Sequence, residues 1–271
     1  MKVVACIIAR TTSTRLPLKV LRDAGHGQSI LDLLIDRVKE ADLDDIYLCT
    51  STEIVDDIME DIAMHHGINI YRGSADSVID RMINVLNITD ADALIRITGD
   101  NPLTSYEYFS SQIKMMKDHD LDYVRLVNSP LGSVGELVSK NALLDYISKC
   151  DPNFSEYMML YLYDPSNYKC GIIKPLEKDY SNMSFTVDTP EDLVHLRRII
   201  NLIKLDSKLP KNSTLKQIIS LIDNSNENVF NIIDENSEIK LPNNESISYF
   251  KFKQNMKKKE DYCVIVNMYD I

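Results

Sequence analysis

Three basic side chains follow an apolar run near the start of the chain. Residues 3–8 are typical of a buried parallel strand, and Arg10, Arg15 and Lys19 lie in the hydroxyl-rich loop that comes next. All 41 acidic residues come after residue 22, and the net charge of the chain is −11. A basic loop on an acidic protein favours an anionic ligand, and such ligands bind at the carboxyl ends of strands in α/β sheets. The alternative is an ordinary solvated basic loop.

Two aspartates follow strand-like runs further along the chain. Asp100 comes after the run 93–98 and Gly99, which permits a tight turn, and Asp188 comes after the run 183–187. Two carboxylates at neighbouring strand ends can hold one hard divalent cation through oxygen, with water and phosphate as its other ligands. The alternative is that both aspartates cap turns or helices.

The basic loop, its hydroxyl groups and the acidic pair together favour chemistry on a nucleoside triphosphate. The sequence has no G-x-x-x-x-G-K-[ST] pattern, which excludes a P-loop enzyme. It has no G-x-G-x-x-G pattern either, which argues against a dinucleotide oxidoreductase. In this interpretation, the loop surrounds the triphosphate and binds it through backbone N–H groups, Ser and Thr hydroxyls, Arg10 and Lys19.

Strands alternate with helices over the first hundred residues. This order predicts an α/β fold with a mostly parallel central sheet and helices on both faces. The predicted strands span 3–8, 45–50, 68–71 and 93–98. The predicted helices begin at a capping-box pattern from Ser29 to Asp32, at Thr52 and at Asp76, and the second of them ends before Gly67.

After Pro102 the pattern is less regular. Helices are predicted near 105–118, 140–149, 155–163 and 190–205, and strands at 122–126, within 128–139 and at 183–187. Residues 1–205 are therefore expected to form the main domain. Residues 206–271 are a C-terminal extension, entered through a linker over 206–214, and we expect a small satellite, an oligomerisation arm or a partly disordered segment. A homodimer is one option for the assembly.

Composition narrows the class of protein. Apolar residues make up 44% of the chain, enough for a sizeable core, and the acidic balance argues against nucleic acid as a partner. No apolar run reaches the length of about 18 residues that a membrane span needs, and no signal-peptide pattern precedes Arg10, so we expect a cytoplasmic protein without membrane contact. The five cysteines form no C-x-x-C pair and are predicted to be reduced, while His65 and His66 are predicted to end a helix rather than bind a metal.

Four motifs follow one another along the chain, and three of them contain the basic loop, Asp100 and Asp188. The matching residues are Ala9, Arg10, Ser13, Arg15, Leu16, Pro17 and Lys19 of A-R-x-G-S-x-R-L-P-x-K; Arg72, Gly73, Ser74, Val78, Asp80 and Arg81 of F-R-G-S-x-x-D-V-x-D-R; residues 96–103 of R-[LI]-T-G-D-x-P-L; and residues 187–193 of V-D-T-P-E-D-L. In these motifs the chain resembles the cytidylyltransferases of the glycosyltransferase-A-like, Rossmann-like nucleotidyltransferase fold. The closest resemblance is to the spore-coat polysaccharide biosynthesis branch. The synthetases of CMP-activated 3-deoxy-manno-octulosonate and sialic acid are more distant relatives.

The resemblance implies a role for each matched position. The nucleotide-binding residues that it implies are Ala9, Arg10, Thr12, Ser13, Arg15, Lys19, Arg72, Ser74, Thr98 and Gly99. Arg10, Lys19 and Asp100 would be catalytic, Asp100 and Asp188 would bind magnesium, and Glu136 would face the acceptor. For Arg72 and Arg81 the alternative is an ordinary solvated or ion-paired arginine.

The function implied is a magnesium-dependent transfer of CMP from CTP to a small acceptor such as a sugar acid, with release of pyrophosphate, in the synthesis of surface polysaccharide or glycoconjugate precursors. One alternative is a nucleotidyltransferase of the same fold with another nucleotide, or a glycosyltransferase, although Asp90-Ala91-Asp92 precedes its strand and lies at the wrong end. Another is a non-catalytic binding or assembly subunit.

The chain departs from the family pattern at four places, of which Ile8 is the first, where relatives often carry Gln or Pro. Thr12 and Leu18 stand where the family has glycine, a residue that allows positive φ and close approach to phosphate. Thr12 either supplies a hydroxyl donor instead or marks a shifted loop. After Phe154, Glu156-Tyr157 stands where relatives have Glu-His, which leaves the identity of the acceptor open.

Overall fold

The structure is a computed structural model that describes residues 1–25, 27–149, 158–225, 231–240 and 246–269. Within these residues, eight strands form one central sheet: β1 (Val3–Ile8), β2 (Asp45–Ser51), β3 (Asn69–Gly73), β4 (Ala93–Thr98), β5 (Tyr123–Leu126), β6 (Glu136–Ser139), β7 (Cys170–Lys174) and β8 (Val264–Asn267). Their spatial order is β8-β7-β5-β6-β4-β1-β2-β3. Only β6 runs antiparallel to its two neighbours among these eight, so the predicted mostly parallel sheet is confirmed.

Helices cover both faces of the sheet. They are α1 (Ile30–Val38), α2 (Ile58–His66), α3 (Val78–Thr89), α4 (Phe109–His119), α5 (Lys140–Lys149), α6 (Met158–Leu162), α7 (Pro190–Leu205), α8 (Leu215–Asn224) and α9 (Tyr249–Glu260). Apolar side chains of α1, α2, α4, α7 and α8 share one core cluster, and those of α3, α5 and α6 share the other. The side chains of β1 alternate between the two clusters, as expected for a strand that is buried on both faces.

Short elements join these larger ones. Single 3₁₀ turns span Lys19–Leu21, Ile54–Asp56, Tyr106–Tyr108 and Pro210–Asn212. Two-stranded pairings join Asp23–Gly25 with Gln28–Ser29, Met183–Ser184 with Asn231–Ile232, and Glu238–Lys240 with Ser246–Ser248. No helix in the described part of the chain has the length and apolar character needed to cross a membrane. Cys6, Cys49, Cys170 and Cys263 are free thiols, and Cys150 lies outside the described residues.

Local capping signals are confirmed at some helices and wrong at others. Ser29 and Asp32 form the predicted capping box of α1, and Gly67 ends α2 with a φ of 64°. The helix predicted to begin at Thr52 instead opens with the 3₁₀ turn and reaches α-geometry only at Ile58, and no side-chain cap occurs at the start of either element. The predicted cap Asp76 is wrong: its neighbour Ser77 accepts a hydrogen bond from the N–H of Asp80 and caps α3.

The strand predicted over 183–187 forms only at its first two residues, and these pair outside the central sheet. Beyond them, the chain is held by long-range backbone hydrogen bonds. The N–H of Phe185 donates to the carbonyl of Leu131 at 2.7 Å, and the N–H of Val187 donates to the carbonyl of Asp100 at 3.0 Å. Asp188 therefore lies beside the end of β4 without following a strand of the central sheet, which corrects the expectation of two neighbouring strand ends.

Parts of the segment after residue 205 lie on the main sheet and its helices. The apolar side of α8 joins the same core cluster as α7, and β8 extends the sheet beyond β7 in parallel register. The predicted helix over 155–163 is described only from Met158 onward, and Glu156 and Tyr157 lie outside the described residues.

Candidate active site

Lys19 lies between two carboxylates at the carboxyl edge of the sheet. Its Nζ is 2.6 Å from Asp100 Oδ2 and 2.8 Å from Asp188 Oδ1. Only 16% of the Lys19 side chain is exposed. Burial disfavours its charged form, but Asp100 and Asp188 outweigh this effect and raise the pKa of Lys19. Arg15 adds a second cation, with Nη2 2.9 Å from Asp188 Oδ1. The structure thus brings together two acidic and two basic residues that are far apart in the sequence.

Asp100 reaches this point because β4 ends directly against β1. Ile8 pairs with Thr98 in the parallel register, and the N–H of Gly99 donates to the carbonyl of Ile8 at 2.8 Å. A Cβ on Gly99 would lie 2.7 Å from the Cβ of Ala9, so only glycine permits this approach of the two chains. The carboxylate of the next residue then projects from the end of the strand.

Asp188 is available to the site because other residues cap the helix that follows. Thr189 is the N-cap of α7, and its hydroxyl accepts a hydrogen bond from the N–H of Asp192. Asp192 Oδ2 accepts in return from the N–H of Thr189 at 2.8 Å and from the N–H of Asp188 at 3.0 Å. The interpretation of Asp188 as a helix cap is therefore wrong, since its own carboxylate contacts Lys19 and Arg15.

The basic loop is anchored by a residue that the sequence did not single out. Asp56 Oδ1 accepts hydrogen bonds from the N–H and the hydroxyl of Thr11, each at 2.7 Å, and its Oδ2 accepts from the hydroxyl of Ser51 at 2.5 Å. Burial alone would raise the pKa of Asp56, but the hydrogen bonds from Ser51 and Thr11 outweigh it and lower the pKa. Asp56 thereby fixes the start of the loop to the end of β2.

Replacing Asp56 with Ala is expected to lower the free energy of unfolding by about 3 kcal/mol, because it leaves buried donors without an acceptor. A lowered carboxyl pKa stabilises the folded state above the ordinary pKa of about 4, and this contribution is lost as the pH falls through the folded-state pKa. The difference between the wild type and the variant should therefore narrow from pH 7 to about pH 3. Urea titrations at both pH values measure it.

The exposed Asp42 is the matched control for this experiment, since it lies in the connection between α1 and β2. Asp42→Ala should change the free energy of unfolding by less than about 0.5 kcal/mol. An equal effect of the two substitutions, or a difference independent of pH, would contradict the anchoring role of Asp56.

The loop after β1 and the ends of β1 and β4 enclose a cleft of about 750 Å³, which we call the nucleotide cleft. Eight of the ten predicted nucleotide-binding residues line it: Ala9, Arg10, Thr12, Ser13, Arg15, Lys19, Thr98 and Gly99. Asp100 and Asp188 lie at one side of it. Among the described residues, Arg10 has no carboxylate within ion-pair distance, so its charge faces the cleft unopposed.

Arg72 and Ser74 are not among the residues that line the nucleotide cleft. The guanidinium of Arg72 binds Glu60 at 2.5 Å and Asp57 at 2.6 Å, and it joins the end of β3 to the start of α2. The hydroxyl of Ser74 accepts hydrogen bonds from the backbone of the turn before α3. A contact of either residue with the base or the ribose stays a prediction.

Arg81 lines the cleft instead, although an ordinary solvated or ion-paired arginine was the alternative for it. Its side chain is buried, and burial lowers its pKa. One nitrogen donates to the carbonyl of Cys49 at 3.3 Å, and Nε has no hydrogen-bond partner among the described residues. A buried donor with no partner on a cleft wall is available to a polar or anionic ligand.

A second cleft, of about 530 Å³, adjoins the first. We call it the acceptor cleft because it contains Glu136, for which the resemblance implies a position facing the acceptor. Both clefts are lined by Arg96, Thr98, Asp100 and Asp188. Glu136 lies in the wall of the second one, where Oε2 is 2.7 Å from Arg96 Nη1 and Oε1 accepts from the hydroxyl of Tyr123 at 2.6 Å. Two ligands, one in each cleft, would meet at the two aspartates.

Leu18 adopts the left-handed backbone conformation that the family's glycine permits, with a φ of 56°. It precedes the 3₁₀ turn that carries Lys19, so the turn keeps the glycine-type geometry despite the leucine. A left-handed conformation costs a non-glycine residue roughly 1–2 kcal/mol. Thr12, by contrast, has no positive φ, and its side chain lines the nucleotide cleft.

The Asp90-Ala91-Asp92 segment lies at the opposite end of β4 from Asp100. Asp90 ends α3 with a φ of 52°, and Asp92 Oδ2 accepts a hydrogen bond from the N–H of Lys2 at 2.7 Å. Neither aspartate lines either cleft. The structure therefore does not support a metal-binding Asp-x-Asp at this position.

Comparisons with known proteins agree with this geometry. A family model described as cytidylyltransferase matches residues 4–217. The spore coat polysaccharide biosynthesis protein SpsF of Bacillus subtilis is 34% identical over 202 residues, which cover 71% of this chain and 84% of that protein. The 3-deoxy-manno-octulosonate cytidylyltransferase of Koribacter versatilis is 33% identical over 134 residues, 48% of this chain and 49% of that protein. A solved cytidylyltransferase from Leptospira borgpetersenii superposes with a TM-score of 0.74 at 26% identity, covering 82% of this chain and 94% of that one.

Proposed function

Because the chain belongs to the cytidylyltransferase family, we propose that it transfers CMP from CTP to a sugar acid or a related acceptor and releases pyrophosphate. The protein is an enzyme of the nucleotidyltransferase class. The acceptor class draws support from the likeness to a 3-deoxy-manno-octulosonate cytidylyltransferase. The likeness to a spore coat polysaccharide biosynthesis protein supports a role in making surface polysaccharide or glycoconjugate precursors.

The observation that carries the proposal is the meeting of two clefts at Asp100 and Asp188, beside the basic loop. CTP lies in the nucleotide cleft, with its triphosphate along Arg10 and Lys19. An acceptor hydroxyl from the second cleft attacks the α-phosphorus, and its proton passes to solvent water. A phosphorus–oxygen bond to the acceptor forms, the bond from the α-phosphorus to the oxygen that bridges to the β-phosphorus breaks, and pyrophosphate leaves. Arg10 and Lys19 stabilise the charge of the leaving group.

Asp100 and Asp188 would hold the magnesium ion. Both offer hard oxygen donors, and both already contact one cation, the ammonium of Lys19, so the pair fits a divalent ion of this kind. No cluster of three Asp, Glu, His or Cys side chains that could hold a metal occurs in the described part of the chain, which leaves the other positions to phosphate and water oxygens. When bound, Mg²⁺ neutralises phosphate charge and polarises the oxygens that it contacts. Lys19, which contacts both carboxylates in this structure, would then bind the triphosphate.

Thermal stabilisation is expected in the order CTP, then UTP, then ATP or GTP, and each effect should depend on magnesium. Cytosine and uracil differ at N3 and at the exocyclic group on C4, which hydrogen bonds in a polar pocket distinguish well. A purine is larger and should clash in a pocket sized for a pyrimidine. Scanning fluorimetry with each nucleotide, with and without a chelator, measures the shifts in melting temperature. A larger shift with ATP or GTP would contradict the cytidylyl assignment.

Pyrophosphate release tests the reaction itself. CTP and Mg²⁺ are incubated with 3-deoxy-manno-octulosonate, sialic acid or a neutral sugar of similar size. We expect pyrophosphate with at least one sugar acid, loss of the signal with a chelator, and recovery when Mg²⁺ is restored. If the protein binds CTP but releases no pyrophosphate in the presence of any of these acceptors, a non-catalytic subunit would be favoured instead.

A further inference from the structure

One wall of the acceptor cleft comes from helix α9, which lies beyond the family match that ends at residue 217. The helix contributes six side chains to this wall: Tyr249, Phe252, Lys253, Met256, Lys257 and Glu260. Their separations of three and four residues place them on one face of the helix. The acceptor cleft therefore combines the ends of the central strands, which the family shares, with a helix from the segment after the family match.

The helix is fixed in position by contacts of this same face. The hydroxyl of Tyr249 donates to the carbonyl of Ser181 at 2.5 Å. The ammonium of Lys253 is 3.1 Å from Asp179 Oδ2, and the carboxylate of Glu260 is 2.8 Å from the ammonium of Lys174. The strand that follows, β8, pairs with β7. These contacts hold both ends of α9 against the rest of the domain. The position of the helix is therefore fixed, and its remaining lining side chains face the cleft.

These contacts do not use Phe252, Met256 or Lys257, and of these three only Met256 packs against a core cluster. The ring of Phe252 stacks on Tyr249 at a centroid distance of 6.4 Å, is half-buried, and belongs to neither core cluster. Lys257 is exposed, and no carboxylate of the described residues lies within ion-pair distance of it. Other charged side chains of the wall form ion pairs: Glu136 with Arg96, Lys253 with Asp179, and Glu260 with Lys174. Helix α9 therefore offers one aromatic face and one exposed cation to the cleft.

We propose that α9 selects the acceptor: Phe252 packs against an apolar face of the acceptor, and Lys257 binds an anionic group of it. The reacting hydroxyl then lies beside Asp100 and Asp188, which line the same cleft. The acceptor that fits is a sugar that carries a carboxylate. This inference rests on the proposed function, because the second cleft serves an acceptor only if the first one serves the nucleotide.

Two matched pairs of variants on the same helix test the inference. Lys257→Gln is compared with Lys258→Gln, and Phe252→Ala with Phe250→Ala; the two control residues are exposed and do not line the cleft. Pyrophosphate release is measured with CTP and either 3-deoxy-manno-octulosonate or sialic acid as the probe. We expect Lys257→Gln and Phe252→Ala each to raise the KM of the sugar acid by about tenfold, with kcat and the KM of CTP within about twofold of the wild type. The control variants should change none of these constants.

The outcomes separate this inference from the proposed function. Equal KM values for Lys257→Gln and Lys258→Gln, with CTP binding and turnover intact, would overturn the role of α9 and leave the cytidylyl transfer standing. Turnover with a neutral sugar but with neither sugar acid would overturn the anionic acceptor. Loss of CTP affinity in Lys257→Gln would also overturn the inference, because that result means a general structural change. Absence of CTP binding to the wild-type protein would overturn the proposed function together with the inference.

Discussion

Asp100→Asn is expected to reduce turnover by at least about 1,000-fold while the fold stays intact. Asparagine keeps the shape of the side chain but lacks the charge that a hard cation needs. The carboxylate lies at the junction of the two clefts, 2.6 Å from the ammonium of Lys19, and in the proposed reaction the two substrates meet there. Initial rates of pyrophosphate release across a magnesium titration measure the effect, and circular dichroism with thermal melting checks the fold.

Asp118→Asn is the matched control, since this exposed carboxylate pairs with Lys114 far from the clefts. Its rates should equal those of the wild type. Turnover of Asp100→Asn close to the wild-type rate, with an unchanged dependence on magnesium, would remove Asp100 from the metal site.

Lys19→Ala is expected to weaken CTP binding by about 30-fold or more, equivalent to about 2 kcal/mol, and to lower kcat as well. In the proposed reaction, Lys19 contacts the triphosphate charge both before and during the chemical step, so the variant should lose an interaction in the ground state and in the transition state. Asp100 and Asp188 raise the pKa of Lys19, so the ammonium stays charged throughout the neutral and mildly alkaline range. Isothermal titration calorimetry with CTP and Mg²⁺ gives the dissociation constant, and steady-state kinetics give kcat.

Lys211→Ala is a suitable control because Lys211 is an exposed lysine that pairs with Glu40 and lines neither cleft. Its CTP affinity should match the wild type. If Lys19→Ala also kept wild-type affinity, the basic loop would have to serve another ligand, and the assignment of the first cleft to the triphosphate would fail.

Local sequence patterns predicted much of the fold. The first four strands of the sheet, the capping box of α1 and the proline-led start of α7 are each determined by residues close together in the chain, through apolar periodicity and side-chain caps. The short strand β7 was not predicted. It contains Gly171 and only five residues, and its place in the sheet depends on partners at β5 and β8 that are distant in sequence.

The parts of the candidate site that the sequence predicted are also those determined by residues close together in the chain. The basic loop and Asp100 follow strands that the sequence shows directly. Asp188 follows no strand of the central sheet, and its position depends on backbone bonds to the Asp100 turn and on a cap made by Thr189 and Asp192. Asp56 and the cleft residue Arg81 are both buried in the fold. Their burial depends on which surfaces pack together, and the residue type alone does not predict it.

Strand β8 is an edge strand of the central sheet, and this position has a consequence for folding during translation. β7 is translated well before β8, so until β8 arrives β7 presents unpaired backbone groups along one side. The residues of the nucleotide cleft all precede position 189 and are complete by then, whereas the α9 wall is not. A chain whose translation stops between these points would keep the residues that line the nucleotide cleft, yet its strand β7 would be an exposed edge strand. Other unfinished chains could pair with that edge, which makes such a chain a target for chaperones and proteases.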